Sequence, residues 1–265
     1  MQATFRCDGS TVFVFGGTSG INLGIAEAFA EAGATVAVAS RSAGKVEAAV
    51  ARLTDAGKRS GHDRPASGYA LDVRDAAAVG TALDAFASAA GGIDVVVSGA
   101  AGNFLASAAT LSPNGFKAVV DIDLLGSFHV ARAAYAHLRK PGGCLIHISA
   151  PQASIAMPMQ AHVCAAKAGV DMLTRTLALE WGPVGIRVNS VSPGPIDDTE
   201  GMRRLAPDEA SRDRCVRSVP MRRMGDVRDI ANACLFVASD AASYVSGTVI
   251  PVDGGWAAAG ANVGS

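Results

Sequence analysis

The turn Gly16-Gly17-Thr18-Ser19-Gly20-Ile21-Asn22-Leu23-Gly24 follows directly on the apolar run Thr11 to Phe15 and opens a segment of helical period. Glycines at such positions let the backbone turn tightly and approach a pyrophosphate, whose charge then rests on the free N–H groups of the helix that follows. The chemistry implied is dinucleotide binding, with Gly16, Thr18, Ser19, Gly20, Asn22 and Leu23 as contacts; an ordinary Gly-rich turn is the alternative. Asn22 stands where a third glycine commonly permits close helix packing, and Gly24 either compensates or does not. Ser40-Arg41-Ser42 closes the second apolar run, where an NAD-selective site carries a carboxylate for the ribose 2′-hydroxyl. The Arg41 guanidinium suits a 2′-phosphate instead and, with Ser42, points to NADPH/NADP+, a plain surface arginine being the other reading. Asp72 and Val73, ending the third run, are placed to contact adenine through side chain and backbone.

Other side chains with chemical potential are scattered along the chain. Lys167 lies among Ala165, Ala166, Ala168 and Gly169, and a lone lysine among small residues indicates a packed surface rather than a solvated helix face. His162 could aim an N–H at a substrate oxygen or line a pocket wall, and Ser149 could donate to a carbonyl or satisfy local backbone. Asn103 and Phe104 follow the fourth strand at its C-terminal end, where an amide and a ring could orient an acyl chain or nicotinamide, or simply build the loop. Arg203 and Arg204 offer guanidinium groups for ligand phosphates, against the commoner solvated charged helix.

Several chemistries find no support. The five histidines, His62, His129, His137, His147 and His162, fall in different elements, so no zinc or iron spacing exists. The five cysteines are odd in number, widely spaced and free of any Cys-x-x-Cys pair, which predicts free thiols in a reducing, cytoplasmic setting. A formal net charge of -1 with interspersed basic residues leaves no stripe for nucleic acid. No basic segment followed by an apolar run begins the sequence, and no apolar stretch is long enough for a membrane span.

These residues must be held by alternating short β-rich runs and longer Ala-rich helical segments, the mark of βαβ units around a parallel sheet. Strands are expected at Thr11 to Phe15, Thr35 to Ala39, Gly68 to Leu71, Asp94 to Val97, Cys144 to Ile148, Arg187 to Val191 and Thr248 to Val252. Helices are expected at Leu23 to Ala32, Lys45 to Ala56, Ala76 to Ala90, Pro113 to Leu138, Ala161 to Glu180 and Val227 to Val237. The fold class is therefore α/β: a doubly wound Rossmann fold with a seven-stranded parallel sheet flanked by helices, one domain over residues 1–265. Ser192 to Pro220, Pro-containing and rich in Arg and Asp, is expected to form a mobile excursion over the strand ends as a substrate lid.

The Gly-rich turn, Gly99-Ala100-Ala101-Gly102, the Lys167 helix and Pro193-Gly194-Pro195-Ile196 occur in the order of short-chain dehydrogenases/reductases, which the chain resembles over nearly its whole length. Within that family it is most similar to the 2,4-dienoyl-CoA reductases of peroxisomal type. Gly99 to Phe104, Phe116-Lys117 through Asp121-Ile122-Asp123, and Glu180-Trp181-Gly182-Pro183 through Gly194-Pro195-Ile196 to Thr199-Glu200-Gly201 carry that similarity. The resemblance implies cofactor contacts from Ala100, Ala101, Gly102, Lys167, Pro193, Gly194, Pro195 and Ile196, and assembly as a homodimer or homotetramer. The family's general Tyr-x-x-x-Lys pair is incomplete here. Lys167 stands, but Val163 occupies the tyrosine position and Ala150 that of the substrate-binding serine, while Phe15 replaces the threonine common before the first glycine.

A ketone reduced without an adjacent acid leaves an unprotected alkoxide, whereas hydride attack at the far end of a conjugated dienoyl thioester gives a delocalised dienolate that a water can protonate. The resemblance thus implies that Asp123 and Lys167 form the catalytic pair, Asp123 standing where most of the family has an asparagine; a solvated or structural aspartate is the plainer alternative. The function expected is NADPH-dependent reduction of a 2,4-dienoyl-CoA or related enoyl thioester in fatty acid metabolism, with Asn103, Phe104 and Arg203 on the acyl-CoA. A generic carbonyl or 3-oxoacyl thioester reductase using His162 or Ser149, and an inactive NADP-binding regulator, are the alternatives.

Overall fold

Runs such as Thr-Val-Phe-Val-Phe carry apolar side chains on both faces of a strand, and only a sheet covered on both sides can bury them. In the computed structural model, which describes residues 5–259, this run is β1 (Thr11–Phe15) and is buried throughout. Val12 and Val14 join a core with Ile25, Phe29, Leu53 and Ile230 on one side, and Phe13 and Phe15 join Leu83, Phe86, Val130 and Trp181 on the other. The Phe13 and Phe15 rings stack at 4.5 Å, so aromatic packing occupies the place where a threonine hydroxyl would have bonded.

In chain order the elements continue as α1 (Gly20–Glu31), β2 (Thr35–Ser40), α2 (Ala43–Arg59), β3 (Ser67–Ala70), α3 (Ala76–Ala90), β4 (Val95–Ser98) and α4 (Pro113–Val120). A π-helical turn (Asp121–Leu125), α5 (Gly126–His137), β5 (Cys144–Ile148), α6 (Ala161–Trp181) and β6 (Arg187–Pro193) follow. The chain then forms α7 (Glu200–Leu205), α8 (Glu209–Ser218), α9 (Val227–Ala238) and β7 (Val249–Val252). All strands are parallel in the order β3-β2-β1-β4-β5-β6-β7. The order reverses direction between β1 and β4, which opens a crevice at the C-terminal strand ends.

Two expectations need correction. The helix anticipated over Pro113 to Leu138 is not continuous: a π turn replaces regular α geometry at Asp121–Leu125, with the Gly126 N–H donating to the Asp121 carbonyl. Such single turns re-aim side chains and concentrate at functional sites, and Asp123 lies inside this one. The segment 192–220 holds the end of β6 and the helices α7 and α8, with Thr199 capping α7 and an Asp208–Ser211 capping box starting α8. The ends of the expected domain, residues 1–4 and 260–265, lie outside the described residues.

Candidate active site

The first turn makes a cradle that side chains would fill. Gly16 sits at φ +75° with its N–H donating to the Ala39 carbonyl, and a Cβ there would lie 2.9 Å from the Ala100 backbone nitrogen. Ser19 precedes α1 in extended geometry with no side-chain cap, so the first N–H groups of α1 remain open to an anion. Thr18 Oγ1 donates to Ser40 Oγ at 2.9 Å, tying the turn to the end of β2. Asn22 Nδ2 donates to the Gly99 carbonyl at 2.7 Å, joining α1 to the loop after β4. The close-packing role falls to Gly24, where a Cβ would overlap Val227 of α9. Leu23 is a correction: its side chain enters the core and its N–H bonds the Ser19 carbonyl, leaving it nothing for a cofactor.

Arg41 and Ser42 lie exposed beside this cradle, and Arg41 makes no ion pair among the described residues; Ser42 Oγ caps α2 by accepting the Lys45 N–H at 3.4 Å. Asp72 is gripped by Arg74 through both carboxylate oxygens, and that guanidinium holds its carboxyl below the usual range. The Val73 carbonyl accepts from His129 Nδ1 at 2.9 Å. Gly194 packs so closely on Asp253 that a side chain would collide with its backbone, and the Ile196 side chain is buried. Gly17, Gly20 and the stretch Ala100 to Gly102 complete a surface whose open N–H groups and missing side chains fit a nicotinamide dinucleotide.

Lys167 and Asp123 meet. Lys167 Nζ lies 3.3 Å from Asp123 Oδ2 and donates to the Ile148 carbonyl at 3.0 Å, and both residues are buried. Asp123 Oδ1 accepts the Gly102 N–H at 2.7 Å, whereas Oδ2 has no aligned hydrogen-bond donor. The aspartate is thus not solvated: one oxygen fixes the loop after β4, and the other offers a lone pair beside an ammonium.

Val163 is buried at the position one helical turn before Lys167 and carries no proton. His162 is fully buried with both ring nitrogens unpartnered, and its ring lies 4.4 Å from that of Phe104. Ser149 is also buried, and its hydroxyl faces Asp171, a residue that sequence analysis passed over. Asp171 lies one turn beyond Lys167 on α6; burial pushes its carboxyl up, against the pull of Ser149, Arg175 and Ser190. Its spacing from Lys167 was a signal in the sequence, but a helix position four residues on reads equally as surface until β5 and β6 cover it.

His147 on β5 is fully buried, Nδ1 against Thr174 Oγ1 at 2.8 Å, and burial together with Lys167 lowers its pKa from 6.5 to about 3. The unfolded chain takes up this proton below pH 6.5 while the native state refuses it until about pH 3, so the linkage removes stability as pH falls through that window. The wild-type unfolding free energy should fall by up to about 1.4 kcal/mol per pH unit there on this account, and a His147→Gln variant should show a shallower pH slope in urea melts.

On the cleft's other wall, Asn103 and Phe104 are exposed, and Asn103 Oδ1 accepts from Gln160 Nε2 at 3.1 Å. Arg203 is exposed on α7 with its guanidinium on the Asp198 carbonyl, whereas Arg204 is paired with Glu200.

The family model described as enoyl-(acyl carrier protein) reductase matches residues 16–257. A peroxisomal 2,4-dienoyl-CoA reductase of Rattus norvegicus, named as producing (3E)-enoyl-CoA, is 46% identical over 245 residues, covering 92% of this chain and 82% of that protein. The corresponding protein of Saccharomyces cerevisiae is 42% identical over 247 residues, covering 93% and 84%. Among solved structures, a gluconate 5-dehydrogenase from Burkholderia cenocepacia in complex with NADP and tartrate superposes with a TM-score of 0.88 at 33% identity, covering 96% of this chain and 98% of that one.

Proposed function

Because this chain belongs to the short-chain dehydrogenase/reductase family of oxidoreductases, we propose that it reduces 2,4-dienoyl-CoA thioesters with NADPH. The observation that carries the proposal is the buried Asp123–Lys167 pair at 3.3 Å beside a valine in place of the family's phenol. When bound, the reduced nicotinamide supplies the hydride. Lys167 then holds positive charge under the cleft, and Asp123 Oδ2, free of an aligned donor, orients a water that passes a proton to the dienolate carbon and takes its replacement from bulk solvent. We assign Asn103 to the thioester oxygen, Phe104 to the acyl chain, and Arg203 on α7, within the proposed lid, to a CoA phosphate.

A panel of thioesters tests this reading: the purified protein should oxidise NADPH with a dienoyl-CoA and leave simple ketones and 3-oxoacyl-CoA untouched. The reverse pattern would make it a carbonyl reductase, and tight NADPH binding without any turnover would make it a regulator. The free guanidinium of Arg41 supports NADPH over NADH. Arg41→Ala should raise KM for NADPH by roughly 10- to 100-fold, the worth of a charge-assisted bond, and leave KM for NADH unchanged in steady-state kinetics.

Exposed Phe128, Met172 and Leu179 on α5 and α6 support the dimer or tetramer we assign, and sedimentation velocity measures it. The five free cysteines support a reducing compartment, which we take to be the cytoplasm.

A further inference from the structure

Two glutamine amides that the reaction outlined above leaves unused stand behind Asn103, and the three side chains form a chain. Gln152 Nε2 donates to Gln160 Oε1 at 3.0 Å, and Gln160 Nε2 donates to Asn103 Oδ1 at 3.1 Å. Gln160 is 3% exposed, whereas Asn103, on the loop after β4, is exposed. The two segments that carry the chain are stapled together by the Ala106 N–H on the Met159 carbonyl and by the Phe104 ring on His162. Asp123 fixes the Gly102 N–H, so Asn103 directly follows the residue that the proposed catalytic carboxylate holds.

An asparagine amide has a donor end and an acceptor end of nearly equal size, and the end a ligand meets is set by what the other end is bonded to. Here the acceptor end is committed to Gln160, and Nδ2 has no partner among the described residues. Turning Asn103 over alone would set its Nδ2 against Gln160 Nε2, donor against donor, and a buried unpaired donor costs enough to forbid that isolated flip, so the chain runs in one of two directions, as in this structure or with all three amides reversed.

We infer that Gln160 is a positioning residue: the Gln152–Gln160–Asn103 chain holds Asn103 with its N–H donors toward the cleft, for the carbonyl oxygen of an acyl thioester. The inference rests on the acyl-thioester reading above. Gln160 itself touches no ligand, and the bond it orients strengthens as the oxygen gains charge.

The test is a pair of affinities, measured by calorimetry on NADP+-saturated protein for hexanoyl-CoA and for its hexyl thioether, which lacks the carbonyl oxygen. Gln160→Glu keeps the acceptor for Gln152 and removes the donor to Asn103, whose Nδ2 turns to the new carboxylate and presents Oδ1 to the cleft. Wild type should prefer the thioester; in the variant the thioester Kd should rise roughly tenfold or more while the thioether Kd stays put. Gln152→Glu, at a half-buried position, reverses the same chain from its other end and should give the same selective loss, which decides the matter if Gln160→Glu does not fold. Wild type preferring the thioester, with folded variants that keep the preference, overturns the amide chain alone. Wild type that binds neither compound overturns the acyl-CoA reading and the inference with it.

Discussion

Lys167→Met lowers the single-turnover rate of dienoyl-CoA reduction by at least about a thousandfold, and Asp123→Asn does so by about a hundredfold or more, because charge stabilisation and a positioned proton relay contribute on that scale. Both side chains are buried and meet at 3.3 Å, so each single replacement also has a structural cost. Removing the ammonium leaves the Asp123 carboxylate uncompensated in the interior, worth roughly 3–5 kcal/mol, and strands the Ile148 carbonyl. Asp123→Asn keeps an oxygen for the Gly102 N–H while losing the charge. The double variant removes both charges together and should regain thermal stability over Lys167→Met while remaining as inactive. Stability thus recovers from Lys167→Met to the double variant while turnover does not, a pattern that damage to folding alone cannot produce. Rapid-mixing kinetics beside thermal melts of the three variants reads both quantities.

Gly16→Ala abolishes saturable NADPH binding and lowers Tm by several degrees. The position sits at φ +75°, where a Cβ costs roughly 1–2 kcal/mol in backbone strain alone. The same Cβ would also meet the backbone of Ala100, 2.9 Å from its nitrogen, so relief has to come from moving the loop after β4 rather than from a side-chain rotation. That loop carries Gly102, which Asp123 holds, so cofactor cradle and catalytic pair are displaced together. Gly44→Ala is the control: near the start of α2, its added methyl meets open space and should be neutral or slightly stabilising. Nicotinamide fluorescence titration separates the two variants.

The fold was legible because its strands are short apolar runs between long helical segments, and the observed sheet has the expected strands with ends displaced by one or two residues. The Gly-rich turn was legible too, except that Leu23 faces the core and close packing belongs to Gly24. Both facts depend on how α1 meets α9, which no local pattern encodes. The π turn around Asp123 escaped notice because its residues have ordinary helical character and the extra residue shows only in hydrogen bonding. The helices α7 and α8 are polar and short, and an arginine-rich composition reads as loop, although Asp208 and Ser211 at capping-box spacing marked a helix start. Gln160 carried no signal as a site residue and the spacing of Asp171 from Lys167 only an ambiguous one, because each acquires its surroundings from segments distant in sequence, β5 and β6 for Asp171 and the loop after β4 for Gln160.

The account turns on hydride reaching the far end of a conjugated acyl chain while a carboxylate and an ammonium manage the proton. A single turnover of NADPH carrying deuterium at the transferable C4 position, with a dienoyl-CoA as acceptor and mass spectrometry with NMR on the product, measures this directly. Deuterium bound to the δ-carbon of an enoyl-CoA, with a solvent proton taken up elsewhere on the chain, is the predicted result. A product without deuterium at that carbon, or deuterium retained entirely on the nicotinamide, would contradict it.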